Sequence, residues 1–192
     1  MAKITNRATM FSVELARKLS ELSIRGPLKG YEWAKNGHPP GSHRDCVDVV
    51  GRSKLRPLIF VEAELRRGNP ESNVAKLWKW AQRHRTGPPF ILIQGFSSYY
   101  GTSSPKVHRE TAEFFGKQMC ASLGADRARY FRVKINYMPG PGVTVKGAGR
   151  RTKHAYEFAK RVMAIVRRES SSPESRRIAK AATADTNGRK EL

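Results

Sequence analysis

The stretch Leu58–Trp78, LIFVEAELRRGNPESNVAKLW, decides how this chain is read. Its first part, Leu58–Leu65, is a short apolar run of strand length with Glu62 and Glu64 set into it. On a strand, residues i and i+2 share a face, so the two carboxylates are neighbours roughly 7 Å apart at Cα. Phe60 has the same parity and is too apolar for an open face. A solvent-facing edge strand, with the glutamates paired to Arg52, Arg66 or Arg67, is therefore the weaker reading. The second part begins with Asn69-Pro70, a cap followed by a first-turn proline. Val74, Leu77, Trp78 and Ala81 then recur at helical spacing, which predicts a helix over Asn69–His84.

Upstream, Asp45–Val50 (DCVDVV) is short and β-branched, and Gly51–Pro57 reads as a turn, so this strand and Leu58–Leu65 form a hairpin. An antiparallel partner sets Asp48 across from the glutamates. Asp45 reads as an exposed turn residue. Asp48 alternates with Val47 and Val49 inside the strand. Three carboxylates on one face repel one another, and burial raises their pKa values further. A divalent cation removes that penalty, and hard oxygen ligands without thiolate or imidazole favour Mg²⁺ or Mn²⁺ over zinc.

The acids stand out against a basic background. The 192 residues carry 37 Lys plus Arg against 16 Asp plus Glu, a formal charge of +21. Such an excess draws a protein to polyanions, because phosphate contacts release counterions and steer association. A hydrophobic content of 39% suits one globular domain, placed over residues 1–168. The segment 169–192 is Ser- and Ala-rich without apolar periodicity and is expected to be disordered. No apolar window is long enough for a membrane helix, and the start MAKITNRATMF has no signal-type core. Two cysteines, Cys46 and Cys120, fit a reducing, cytoplasmic setting.

Elsewhere Phe11, Leu15, Leu19 and Leu22 predict an amphipathic helix over Met10–Leu22, with Glu14/Lys18 and Arg17/Glu21 as i,i+4 pairs. Lys29–His43 is mostly loop with a short strand at Tyr31–Trp33. Phe90–Phe96 (FILIQGF) is a strand buried on both faces. Helices follow over Val107–Leu123, with Phe114, Phe115 and Met119 inward, and over His154–Val166, with the strand Tyr130–Met138 between them. This alternation predicts an α/β fold, a central mixed sheet flanked by helices.

An acid on one strand, a turn, an apolar lead into Glu-x-Glu and then a helix resembles the PD-(D/E)xK nuclease superfamily. The matching residues are Asp48 in CVDVV and Glu62 and Glu64 in FVEAEL, within roughly Met10–Phe96. The resemblance implies a restriction-endonuclease-like core, α-β-β-β-α-β, with Lys29–Trp33 as first strand and extra C-terminal helices. It implies a Mg²⁺-dependent (or Mn²⁺-dependent) endodeoxyribonuclease acting on DNA. Asp48 and Glu62 would ligate metal, and Glu64 would be a ligand or the general base. Two positions depart from the family pattern: Val47 replaces a proline, and Glu64 replaces the usual lysine. Lys76 on the next helix is a candidate displaced lysine, and Glu14 or Glu32 a candidate additional acid. Cutting both strands of a duplex would be served by a symmetric homodimer. The alternative is a non-catalytic basic nucleic-acid-binding protein on a degenerate form of the same fold.

Weaker signals complete the reading. His43-x-x-Cys46 lacks a second ligand pair for zinc. Met138–Arg151, with Lys146, Arg150 and Arg151, suits either a phosphate-contacting loop or a plain connection. Gln94, on a buried strand, needs a partner and is a candidate to orient a metal-bound water. Trp33, Trp78 and Trp80 could stack on bases, but at helical spacing they usually belong to a core.

Overall fold

The computed structural model describes residues 7–24, 28–42, 45–66, 68–137 and 146–170. Of the expected tail, 169–192, residues 171–192 lie outside them, as do His43 of the His-x-x-Cys spacing and Arg67, whereas Glu169 and Ser170 end the last helix.

In chain order the elements are α1 (Arg7–Ser23), β1 (Glu32–Gly37), β2 (Val47–Arg52), β3 (Leu58–Glu64), α2 (Glu71–Arg83), β4 (Phe90–Ser97), α3 (Ser103–Leu123), β5 (Ala128–Ile135) and α4 (Lys146–Ser170). The five strands form one sheet in the order β1-β2-β3-β4-β5. The first three are antiparallel neighbours, whereas β3, β4 and β5 run parallel. The fold is thus α/β with a mixed sheet, as the alternation of elements predicts.

β3 lies at the centre of this order, and every one of its residues is buried. Ile59, Val61 and Ala63 face a core completed by Phe11, Leu15 and Leu19 of α1 and Phe158, Ala159 and Val162 of α4. Leu58 and Phe60 face the opposite core, with Val74, Leu77 and Trp80 of α2 and Met119 of α3. The Phe60 ring meets those of Trp80 and Phe90, each at 5.6 Å. Full burial of a side chain this size is worth about 1.5–3 kcal/mol. A central strand covered on both faces places Glu62 and Glu64, which share Phe60's parity, under α2 rather than in solvent.

Several boundaries move. β1 extends to Gly37, well past the expected Tyr31–Trp33, although most of its side chains are exposed. Pro70, not Asn69, is the N-cap of α2, and no side chain caps it. Met119 is fully buried and Phe115 half-buried, but Phe114 is 58% exposed, correcting its inward assignment. Ala112, Phe115 and Met119 form the inward stripe, and Phe114 lies about 100° round the helix from Phe115. Within Met138–Arg151, residues 138–145 lie outside the described set, and 146–151 belong to α4. Trp80 is a core residue whose Nε1 donates to Pro40 O at 2.9 Å. Half-buried Trp33 donates to Ser23 Oγ at 2.7 Å.

Candidate functional site

The β2–β3 hairpin brings the predicted carboxylates together. Its register runs from Gly51 opposite Ile59 to Val49 opposite Val61. One position further, Asp48 falls across from Glu62, where side chains take over from the backbone ladder. Ala63 N donates to Asp48 Oδ2 at 2.8 Å, and Asp48 N donates to Glu62 Oε2 at 3.4 Å. Glu62 and Glu64 are each only 2% exposed. The edge-strand alternative is therefore overturned. Arg52 instead donates to His38 O at 2.6 Å, and Arg66 lies over the Tyr99 ring.

The two glutamates differ in their surroundings. Glu62 Oε1 is buried without a hydrogen-bond partner. Burial pushes its carboxyl well above the ordinary carboxylate range, the charges of Asp48 and Glu64 push it further, and Lys76 opposes them. Glu64 Oε1, in contrast, accepts from Asn73 Nδ2 at 2.7 Å and Gln94 Nε2 at 2.9 Å. Gln94 Nε2 also donates to Pro70 O at 2.9 Å, and Gln94 Oε1 accepts from Tyr130 Oη at 3.0 Å. A main-chain carbonyl can only accept, so the Pro70 contact fixes which end of the Gln94 amide faces Glu64.

Register explains how these groups converge. Glu62 pairs with Gln94, and Glu64 pairs with Phe96. Gln94 pairs in turn with Arg132 on β5. Helix α2 supplies Asn73 and, one turn on, Lys76 from the same side. Lys76 Nζ donates to Cys46 O at 3.0 Å, next to the carboxylates. The Cys46 thiol feels the same cluster: burial raises its pKa, Glu62 and Asp48 add to the rise, and Lys76 opposes it.

The other candidate acids are elsewhere. Glu14 sits on α1, on the opposite side of the sheet, where it pairs with Arg17 at 2.5 Å rather than with Lys18. That guanidinium holds its carboxyl below the ordinary range. Glu32 is exposed on the edge strand β1, opposite Arg52. Asp45 closes a turn by accepting from Ser42 Oγ at 2.8 Å. Asn73 is fully buried, and sequence reasoning missed it. The one available signal was a polar residue one position before Val74, on the helix side that turns toward Glu64.

The donor set suits a hard cation. A partnerless buried carboxylate oxygen beside a second carboxylate is what a divalent ion or a proton relieves. No group of three His, Cys, Asp or Glu side chains that could hold a metal is found among the described residues. No protein-family model matches the chain, and no curated protein matches it.

Proposed function

We propose that this chain is a metal-dependent nuclease that hydrolyses DNA phosphodiester bonds on a restriction-endonuclease-like core. One observation carries the reading. Glu62 keeps an unpartnered, buried carboxylate oxygen beside Asp48 and Glu64, in a chain of charge +21. A stability-driven sequence would replace such a glutamate with a neutral residue, since an unsatisfied buried polar group costs about 1–3 kcal/mol.

In this reading Asp48 and Glu62 hold Mg²⁺ or Mn²⁺. When bound, that ion supplies charge neutralisation at the phosphodiester and acidifies water. Glu64, held by Asn73 and Gln94, accepts the proton of the attacking water. Lys76 offsets the negative charge gathered at the phosphate and stands in for the lysine that Glu64 displaces. The Lys and Arg surface binds the DNA backbone. A symmetric dimer would present two such sites to a duplex.

One observation favours a second reading, a DNA-binding protein with a degenerate site: Glu64 stands where the family's usual lysine would be. Incubation with supercoiled plasmid and Mg²⁺ or Mn²⁺, beside Glu62→Ala and a chelator control, separates the two. Metal-dependent nicking that vanishes in Glu62→Ala is the expected result. Chelator-insensitive binding without cutting in either metal sinks the nuclease reading.

A further inference from the structure

Away from the carboxylates, the C-terminal end of β5 and the first half of α4 enclose a cavity of about 200 Å³. Its lining includes Lys134 and Asn136 from the strand side and Lys153, His154, Glu157 and Arg161 from the helix. The arrangement is partly prebuilt. Arg161 Nη1 donates to Lys134 O at 2.7 Å, fixing the guanidinium at the strand end. The His154 ring packs against Tyr137 at 5.3 Å, and Tyr137 stacks on Phe11 of the core. The one lining acid, Glu157, is taken up by Lys160 at 2.9 Å. With Lys134, Lys153 and Arg161 against Glu157, the cavity lining carries a net positive charge. His154 registers it: burial first, then the charges of Lys153 and Arg150, hold its pKa below the ordinary value, with Glu157 opposing.

Register relates this cavity to the carboxylates. Glu64 pairs with Phe96, and Phe96 pairs with Lys134, across three parallel strands. Two strand spacings amount to about 10 Å, so both features lie at the same C-terminal end of the parallel strands, the carboxylates on the α2 face and the cavity on the α4 face, and one backbone reaches both by crossing that end of the sheet. We propose that the cavity lined by Lys134, Lys153, His154 and Arg161 is a phosphate-binding subsite for the backbone of a nucleic acid whose neighbouring segment reaches Asp48, Glu62 and Glu64. The proposal rests on the nuclease reading for its substrate class. Its own chemistry is narrower: a guanidinium fork, an ammonium and an imidazole around one anion.

The test uses the full chain in chelator, so that binding is measured without cleavage. Anisotropy of a labelled DNA duplex is compared for wild type, Lys153→Gln, the double variant Lys153→Gln/Arg161→Gln, and Lys35→Gln. Lys35 is an exposed cation on β1, the opposite edge of the sheet, and controls for charge alone. The double variant should bind about tenfold more weakly near physiological salt, with the logarithmic salt slope smaller by about 1–2. Lys35→Gln should stay within about twofold of wild type. Equal losses from Lys35→Gln, or unchanged binding by the double variant, overturn the subsite. Lys153→Gln removes no contact described above, so a fold defect confined to the double variant still leaves a reading.

A second arm follows the His154 ring resonance, identified by its loss in His154→Gln, during titration with inorganic phosphate against chloride at equal ionic strength. Phosphate should raise the His154 pKa, and a duplex should displace it. A phosphate response that the duplex cannot compete away would make this a free-anion site and sink the backbone assignment. Absence of plasmid cleavage alongside pocket-dependent binding would remove the nuclease reading and leave the subsite in place.

Discussion

Asp48 and Glu62 brace each other across the hairpin: the Asp48 main-chain N–H faces Glu62 Oε2 at 3.4 Å, while the Asp48 carboxylate accepts from Ala63 N at 2.8 Å. Each acid thus interrupts a ladder that would otherwise pair backbone with backbone. The hairpin opens where the carboxylates stand, and Glu62 keeps one oxygen without a donor. Without a cation, this geometry opposes ionisation of Glu62 and costs stability.

Stability in chelator should therefore fall as pH rises. Burial raises the folded-state pKa of Glu62 above its unfolded value near 4.3. The folded state then holds a proton that the unfolded state has lost, and stability declines from the unfolded pKa upward through the folded one. Glu62→Gln removes this dependence and should raise the neutral-pH Tm by about 2–4 °C, the shift expected for ~1 kcal/mol in a chain of this size. Thermal melts of both proteins across pH 4–9 check it. Parallel curves would mean that Glu62 is not strained.

Mg²⁺ or Mn²⁺ should reverse the effect. Metal competes with the Glu62 proton, so its stabilisation should be larger at pH 8 than at pH 5.5. At a hundredfold excess over Kd the gain is about 2.7 kcal/mol. Glu62→Gln and Asp48→Asn should lose most of it. Equal metal-induced shifts in wild type and both variants would place the ion elsewhere.

Much of this site was legible in the sequence, but unevenly. Parity alone put Glu62 and Glu64 on one face with Phe60, and hairpin logic put Asp48 opposite. Those inferences need only periodicity and a turn. The contacts of Asn73 and Lys76 depend on how α2 docks after Pro70, which local pattern does not specify. Gln94 was recognisable as needing a partner, yet its partners lie 24, 30 and 36 residues away. β1 was only half visible because its exposed side chains show no apolar alternation. Phe114 misled because size argues for burial, whereas the helical stripe set by Ala112, Phe115 and Met119 excludes it.

Lys76 should set the acid limb of catalysis. Its charge lowers the Glu62 pKa against burial and two neighbouring carboxylates. Lys76→Gln removes the charge and retains a donor for Cys46 O, so Glu62 should titrate at still higher pH. The acid limb of the cleavage profile should shift upward by a measurable fraction of a pH unit, with neutral-pH activity reduced. An unmoved limb would show that Lys76 is only a contact to the β2 end.

The Gln94 amide should matter more than its size suggests. Gln94→Leu deprives Glu64 Oε1 of one donor and leaves the Pro70 carbonyl and the Tyr130 hydroxyl without the Gln94 contacts. The expected cost is about 1–3 kcal/mol, seen as a lower Tm, together with at least a tenfold loss of cleavage. Tyr130→Phe keeps the Gln94 contact to Glu64 and should cost only about 1 kcal/mol. If Tyr130→Phe proved the more damaging to cleavage, Glu64 would not be held by Gln94.

Gly116 offers a test of the same network from outside it. A Cβ on this residue of α3 would lie 2.5 Å from Tyr130 Cγ and 2.6 Å from both Cδ atoms. Two effects oppose each other in Gly116→Ala. Alanine favours the helix by about 1 kcal/mol over glycine. Overpacking against a ring that cannot bend away costs about 1–3 kcal/mol. Tyr130 is half-buried against the α2–α3 core and anchored to Gln94, so the clash should win, with a net loss of stability. The displaced ring should also loosen Gln94 and lower cleavage in proportion. A second substitution, Tyr130→Leu, makes room and should restore much of the Tm without restoring the hydroxyl contact. A Gly116→Ala protein as stable as wild type would show that α3 shifts freely over β5, and that Tyr130 is not fixed by packing.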